Sequence, residues 1–298
     1  MQQDLTAFGL IHEKIKTRKF HQALISLTSL SNEFSHDLKY LNLLSQALRG
    51  IGDERALIKI LNEINTLFPQ VVVQFELMSL LYKNGFLNEA LDIGLEMSQN
   101  SHESGMSQEQ MNQHAQLMIK IYIELNDFEG AREILALMSP ALENQAFTKW
   151  IRGILALSEG ERHLALTYFR ESVEIDSLYD QAWVSLGLLH KEMGDLELAL
   201  GNLETALDIN HQNHSALKMY CQWTDAQPEK TPQAIEKIQF YLAENSFDEE
   251  ISLCHVQKLC LSQSWGLAQQ EIEKLRLLRP DNIAYHDMKK KLGDQLLL

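Results

Sequence analysis

The sequence predicts an all-α protein, a stack of about eight helical hairpins closed by a C-terminal capping helix. Three observations predict it. An alanine followed by helical apolar spacing returns about every 34 residues along the 298-residue chain. In the clearest copy a turn, Met193-Gly194-Asp195, separates two helical halves. The composition, 45% apolar and 22% charged with five prolines, belongs to a well-buried, mostly helical body.

The clearest period is DQAWVSLGLLHKEMGDLELALGNLETALDINHQN, residues 180–213. Trp183, Leu186, Gly187 and His190 share one side of a first helix, and Ala199, Leu203 and Ala206 share one side of a second. Gly194 suits a left-handed helix end and Asp195 suits a helix start, so the segment predicts an antiparallel hairpin. Equivalent alanines at Ala23, Ala56, Ala90, Ala131, Ala165, Ala199, Ala234 and Ala268 are separated by 33, 34, 41, 34, 34, 35 and 34 residues. A side chain larger than methyl where paired helices cross would strain the packing by roughly 1–3 kcal/mol. An apolar residue one turn later, as at Leu27, Ile60, Leu135, Phe169, Leu203, Ile238 and Ile272, continues the buried stripe. No hairpin of this length covers its stripe alone, so neighbours must stack.

The expected organisation is a single solenoid over 1–298: divergent hairpins at 1–97, a polar loop at 98–107, hairpins at 108–280 and a capping helix at 281–298. The 41-residue step is explained by the polar insertion from Gln99 to Gly105, an expected exposed loop and hinge that includes Ser104. Between Pro228 and Pro232, Thr231 is expected to cap a helix with Pro232 in its first turn. Ser246 and Glu249 have capping-box spacing. The run Lys289 to Lys291 is expected to face solvent.

These motifs resemble the tetratricopeptide repeat, whose signature places Trp, Leu-Gly and Tyr on a first helix and Ala, Phe and Ala on a second, followed by Pro. Residues 180–213 match best. Segment 146–179 keeps Gly153, Gly160, Ala165 and Phe169, and the segment from Glu249 keeps Ala268 and Pro280; the first three hairpins lack the Trp and the Leu-Gly pair. The resemblance implies a right-handed superhelix with first helices lining its concave side. Carried over by position, it implies a partner-binding wall of Phe8 and His12, Leu41 and Ser45, Phe75 and Ser79, Gln116 and Lys120, Trp150 and Ile154, Val184 and Leu188, then Leu253 and Gln257. Lys120 is the one basic side chain in that set, which disfavours a clamp for a terminal carboxylate. An amphipathic or hydrophobic protein segment, anchored on Phe75 and Trp150, suits the wall better. Burial by adjacent helices or by a twin subunit in a homodimer would account for the same residues.

Other classes are disfavoured. A formal charge of -15 repels nucleic acid. Nine acids between Glu171 and Asp208 face one base, Lys191, which would steer a basic partner or simply solvate an outer face. The most apolar window, 71–82, is too short to span a membrane, and residues 1–16 lack the pattern of an export leader. Three cysteines, Cys221, Cys254 and Cys260, suggest reduced core thiols in a cytosol-like compartment. No GxxxxGK, GxGxxG, GxSxG or HExxH occurs. Neither CHVQKLC nor the pair His211 and His214 completes a four-ligand metal set. The expectation is a non-catalytic cytoplasmic scaffold or adaptor without cofactor. The alternatives are a chaperone for secreted or assembly subunits and a peptide- or switch-protein-binding arm of a signalling system.

Overall fold

The computed structural model describes residues 2–99, 106–138, 142–246 and 248–295, which contain eighteen α-helices and no strand. The chain divides into two compact units, Met1–Ser139 and Pro140–Leu298.

In the first unit, consecutive helices pair as α1 (Gln2–Lys16) with α2 (Phe20–Thr28), α4 (Leu38–Ile51) with α5 (Glu54–Leu67), α6 (Val71–Lys83) with α7 (Leu87–Gln99), and α8 (Gln108–Glu124) with α9 (Phe128–Leu137). A one-turn helix, α3 (Ser31–Phe34), sits between the first two pairs and lays Phe34 edge-on against Phe8, ring centroids 5.2 Å apart. In the second unit, α10 (Ala146–Ser158) pairs with α11 (Arg162–Ile175), α12 (Asp180–Glu192) with α13 (Leu196–Ile209), α14 (His214–Trp223) with α15 (Thr231–Glu244), and α16 (Glu249–Leu261) with α17 (Trp265–Leu278). The last helix, α18 (Ile283–Gln295), packs on α17 through Tyr285 and Leu292. Each unit is an all-α stack of helical hairpins.

The periodic alanines mark where paired helices touch. Ala23, Ala90, Ala131, Ala165, Ala199, Ala234 and Ala268 are each the fourth residue of a second helix and each has no exposed surface. A methyl added to Gly187 of α12 would lie 3.2 Å from the Ala199 carbonyl oxygen and 3.2 Å from Leu203, so the two helices approach closely at this Leu-Gly position. The second hairpin is set one residue differently. Asp53 caps α5 by accepting from the Ala56 amide, and the helix therefore starts at Glu54. Its fourth residue is Leu57, buried with Leu61, whereas Ala56 and Ile60 are only half-buried.

A second periodic feature lies in the turns. Gly52, Gly85, Gly160 and Gly194 have positive φ, and so do Arg18, Asn126 and Gln263. All seven stand two residues before a second helix. The seventh hairpin differs, joining its helices through two 3-10 turns, Thr224–Ala226 and Pro228–Lys230.

Polar contacts also recur about one period apart. Within a hairpin, Asn210 donates to Asp180 at 2.8 Å and Arg279 to Glu249 at 3.1 Å; between neighbouring hairpins, Asn213 donates to Asp180 at 3.1 Å and Lys237 to Asp208 at 2.7 Å. The period is thus written twice, in apolar contacts and in rungs at their edges.

Three local expectations change. Helix α16 is capped by Asp248, whose carboxylate accepts from the Ile251 amide, rather than by a box opening at Ser246; Phe247 lies outside the described residues. Thr231 is the buried first residue of α15 and does not cap it, while Pro232 does occupy the first turn. Lys289 turns back to pair with Glu273 of α17 at 2.6 Å, since α18 packs on α17; Lys290 is exposed and Lys291 lies outside the described side chains. Ser104 and most of the expected loop also lie outside the described residues.

Candidate partner-binding faces

In the first unit, α4, α5 and α6 enclose a concavity of about 280 Å³. Leu48, Leu57 and Leu80 supply its apolar surface and Ser79 lies on its wall. Two ion pairs border it. The Arg49 guanidinium donates Nε and Nη2 to both oxygens of Glu76, each at 2.8 Å. Lys83 reaches Glu54 at 2.5 Å, and Asn84 donates to the same carboxylate at 3.0 Å. Lys83 first, then Asn84, holds the Glu54 carboxyl below its usual range. Each pair joins neighbouring hairpins. The arrangement can accept an apolar side chain whose flanking polar groups meet the bordering charges.

The expected wall residues fall in different environments. Phe8 is buried, with Lys39 Nζ 5.3 Å from its ring centre, and Leu41 and Ser45 are buried in the core; His12 is exposed. Phe75 and Ser79 are half-buried, and the Ser79 hydroxyl donates to the Phe75 carbonyl at 2.7 Å. Gln116 and Lys120 are half-buried on α8. Sequence reasoning passed over Arg49, Glu54, Glu76 and Lys83. Their signal was opposite charges standing a little under one repeat apart.

In the second unit, Trp150 is held between α10 and α12. Its indole Nε1 donates to Ser185 Oγ at 2.9 Å, and its ring lies edge-on to Tyr179 with centroids 6.0 Å apart. Ile154 and Val184 are half-buried, as is Leu253, while Leu188 and Gln257 are exposed. Trp150 and Ile154 pack against one apolar cluster, and Val184 against the next.

The acidic run is largely occupied within the fold. Glu171 pairs with Lys149, Glu192 lies 3.6 Å from Arg162, Glu204 pairs with Lys230, and Asp208 with Lys237. Asp195 caps α13. His211 faces Glu244, and His214 faces Asp248 and Glu250. Among the described residues no group of three His, Cys, Asp or Glu is placed to hold a metal, and no helix is long and apolar enough to cross a membrane.

The decisive comparison falls on the hairpin of α12 and α13, where the tetratricopeptide-repeat family model matches residues 180–213. Residues 180–213 thus form a tetratricopeptide repeat. Among solved structures, a chain of the APC/C hetero-tetramer Cut9-Hcn1 superposes with a TM-score of 0.53 at 14% identity, covering 94% of this repeat protein and 54% of that chain. The repeat protein thus spans about half the length of that neighbour, and at this identity the likeness is one of fold. YrrB, described as a TPR protein with an unusual peptide-binding site, aligns with a TM-score of 0.40 at 19% identity, over 64% of the repeat protein and 95% of YrrB. No curated protein sequence matches.

Proposed function

We propose that this repeat protein is a non-catalytic scaffold that receives an amphipathic or hydrophobic segment of a partner protein on its first helices. The observation that carries the proposal is the concavity among α4, α5 and α6, apolar within and bordered by the pairs Arg49–Glu76 and Lys83–Glu54. A partner's aliphatic or aromatic side chain fits the apolar part, and its neighbouring backbone and charged groups fit the border. The surface around Trp150, Ile154, Val184 and Leu188 supplies a second anchor of the same kind in the other unit. Three free thiols suit the cytoplasm.

Substitutions that block these faces without emptying the core test the proposal. Ser79→Trp fills the concavity and Leu188→Lys places a charge on the second surface. With helical content and melting temperature unchanged, each should cut partner recovery by the immobilised protein about tenfold. Full recovery by both variants would remove these faces from the function.

A further inference from the structure

Helices α14 and α16 pack directly against each other and bring two cysteines together. Cys221 is buried, 2% exposed, and Cys254 packs half-buried against the cluster that contains it. Both are free thiols. One helical turn after Cys254, Lys258 buries its ammonium to 1% exposure and pairs with Asp225 at 2.6 Å. Cys260 stands apart, packed half-buried with the cluster around α17 and α18.

We infer that Cys221 and Cys254 form an oxidisable dithiol site, converted by a hydroperoxide into an intramolecular disulfide that clips α14 to α16. The half-buried Cys254 is the attacking thiol and the buried Cys221 the resolving one. The division of roles follows from access and from charge. The neighbouring Cys221 thiol first, and the Lys258 ammonium, favour the Cys254 thiolate against burial and the Glu250 and Asp225 carboxylates. The same thiol–thiol proximity, then burial, pushes the Cys221 thiol up, so its proton is retained until a sulfur electrophile is beside it.

The reaction balances with hydrogen peroxide as oxidant. The Cys254 thiolate attacks one peroxide oxygen, the O–O bond breaks, and hydroxide leaves with the proton lost from the thiol as water. Cys254 is then a sulfenic acid. Cys221 sulfur attacks the Cys254 sulfur, the S–O bond breaks, and hydroxide leaves with the Cys221 proton as the second water. The two sulfurs together lose two electrons and the peroxide gains two.

The test treats the reduced full-length protein with one equivalent of hydrogen peroxide, alkylates remaining thiols with N-ethylmaleimide, and reads intact and peptide masses. The expected product is monomeric, lighter by two hydrogens before alkylation, carries one maleimide at Cys260, and contains a Cys221–Cys254 linked peptide. Cys260→Ser should leave the linkage intact. Cys254→Ser, which changes a half-buried side chain and keeps the helix, should abolish it, and so should Cys221→Ser. The clip should also raise the melting temperature, reversibly with dithiothreitol. Alkylation of all three cysteines after peroxide, a bond that engages Cys260, or a linkage between two chains would each overturn the inference.

Discussion

At the residue scale, the most informative side chains are polar groups buried within the second unit. Lys258 has 1% of its side chain exposed, whereas its partner Asp225 has 57%. Removing the carboxylate by Asp225→Ala strands a buried ammonium and should cost about 3–5 kcal/mol. Replacing the lysine by a similar apolar volume, Lys258→Met, leaves an acid that water can solvate and should be close to neutral; paired urea denaturation curves check the asymmetry. Glu271 of α17 is also buried, with His255 of α16 3.7 Å from one oxygen and Lys274 2.9 Å from the same oxygen. His255 first, then Lys274, holds its pKa down to about 2 against an ordinary 4.5. A depressed carboxylate stabilises the fold above its unfolded pKa and loses that contribution as pH falls through the folded value. Glu271→Gln should therefore cost roughly 1–3 kcal/mol at neutral pH. The gap to the parent protein should close between pH 4.5 and about 2.

At the element scale, the hairpin is governed by its tightest approach and by its turn. A methyl on Gly153 of α10 would stand 2.3 Å from the Phe169 ring of α11, while Gly201 of α13 has nothing within 4 Å. Gly153→Ala should lower stability by about 1–3 kcal/mol through overpacking. Gly201→Ala should raise it by about 0.5–1 kcal/mol through helix propensity. Ala199→Leu, at a site with no exposed surface, belongs with the first of these. The turn position two residues before a second helix gives another prediction. Gln263 has φ 58, a conformation that costs an L side chain about 1 kcal/mol, and Gln263→Gly should recover much of it in thermal melts. Spacing read from the sequence located every second helix except for a one-residue offset in α5. There the Asp53 cap, not the alanine, sets the register. Turn type was legible at Gly194, but hidden at Arg18 and Gln263, whose side chains carry no signal of a left-handed backbone.

At the scale of the whole molecule, charge is the property read most directly. The formal charge is -15 and the sequence pI about 5.2. The protein should bind an anion exchanger at neutral pH, pass through heparin unretained, and be least soluble near pH 5.2. Strong retention on heparin would contradict the exclusion of polyanion partners. The local acidic run teaches a different lesson. Glu171, Glu204 and Asp208 pair with Lys149, Lys230 and Lys237, and Asp195 caps a helix. A charge count along the sequence cannot see these partners, since each lies on another helix.

By itself the sequence determined the all-α class, the number of hairpins and the spacing of their contacts, because a period of apolar and small residues is a local record of which faces must be covered. Only the tertiary structure decided which wall residues remain accessible. Ser45 and Leu188 stand at the same distance before Ala56 and Ala199, yet the first is 4% exposed and the second 41%. The same holds for the Arg49–Glu76 and Lys83–Glu54 borders and for the meeting of Cys221 with Cys254. Each joins residues roughly one repeat apart, and proximity across stacked hairpins is a product of folding.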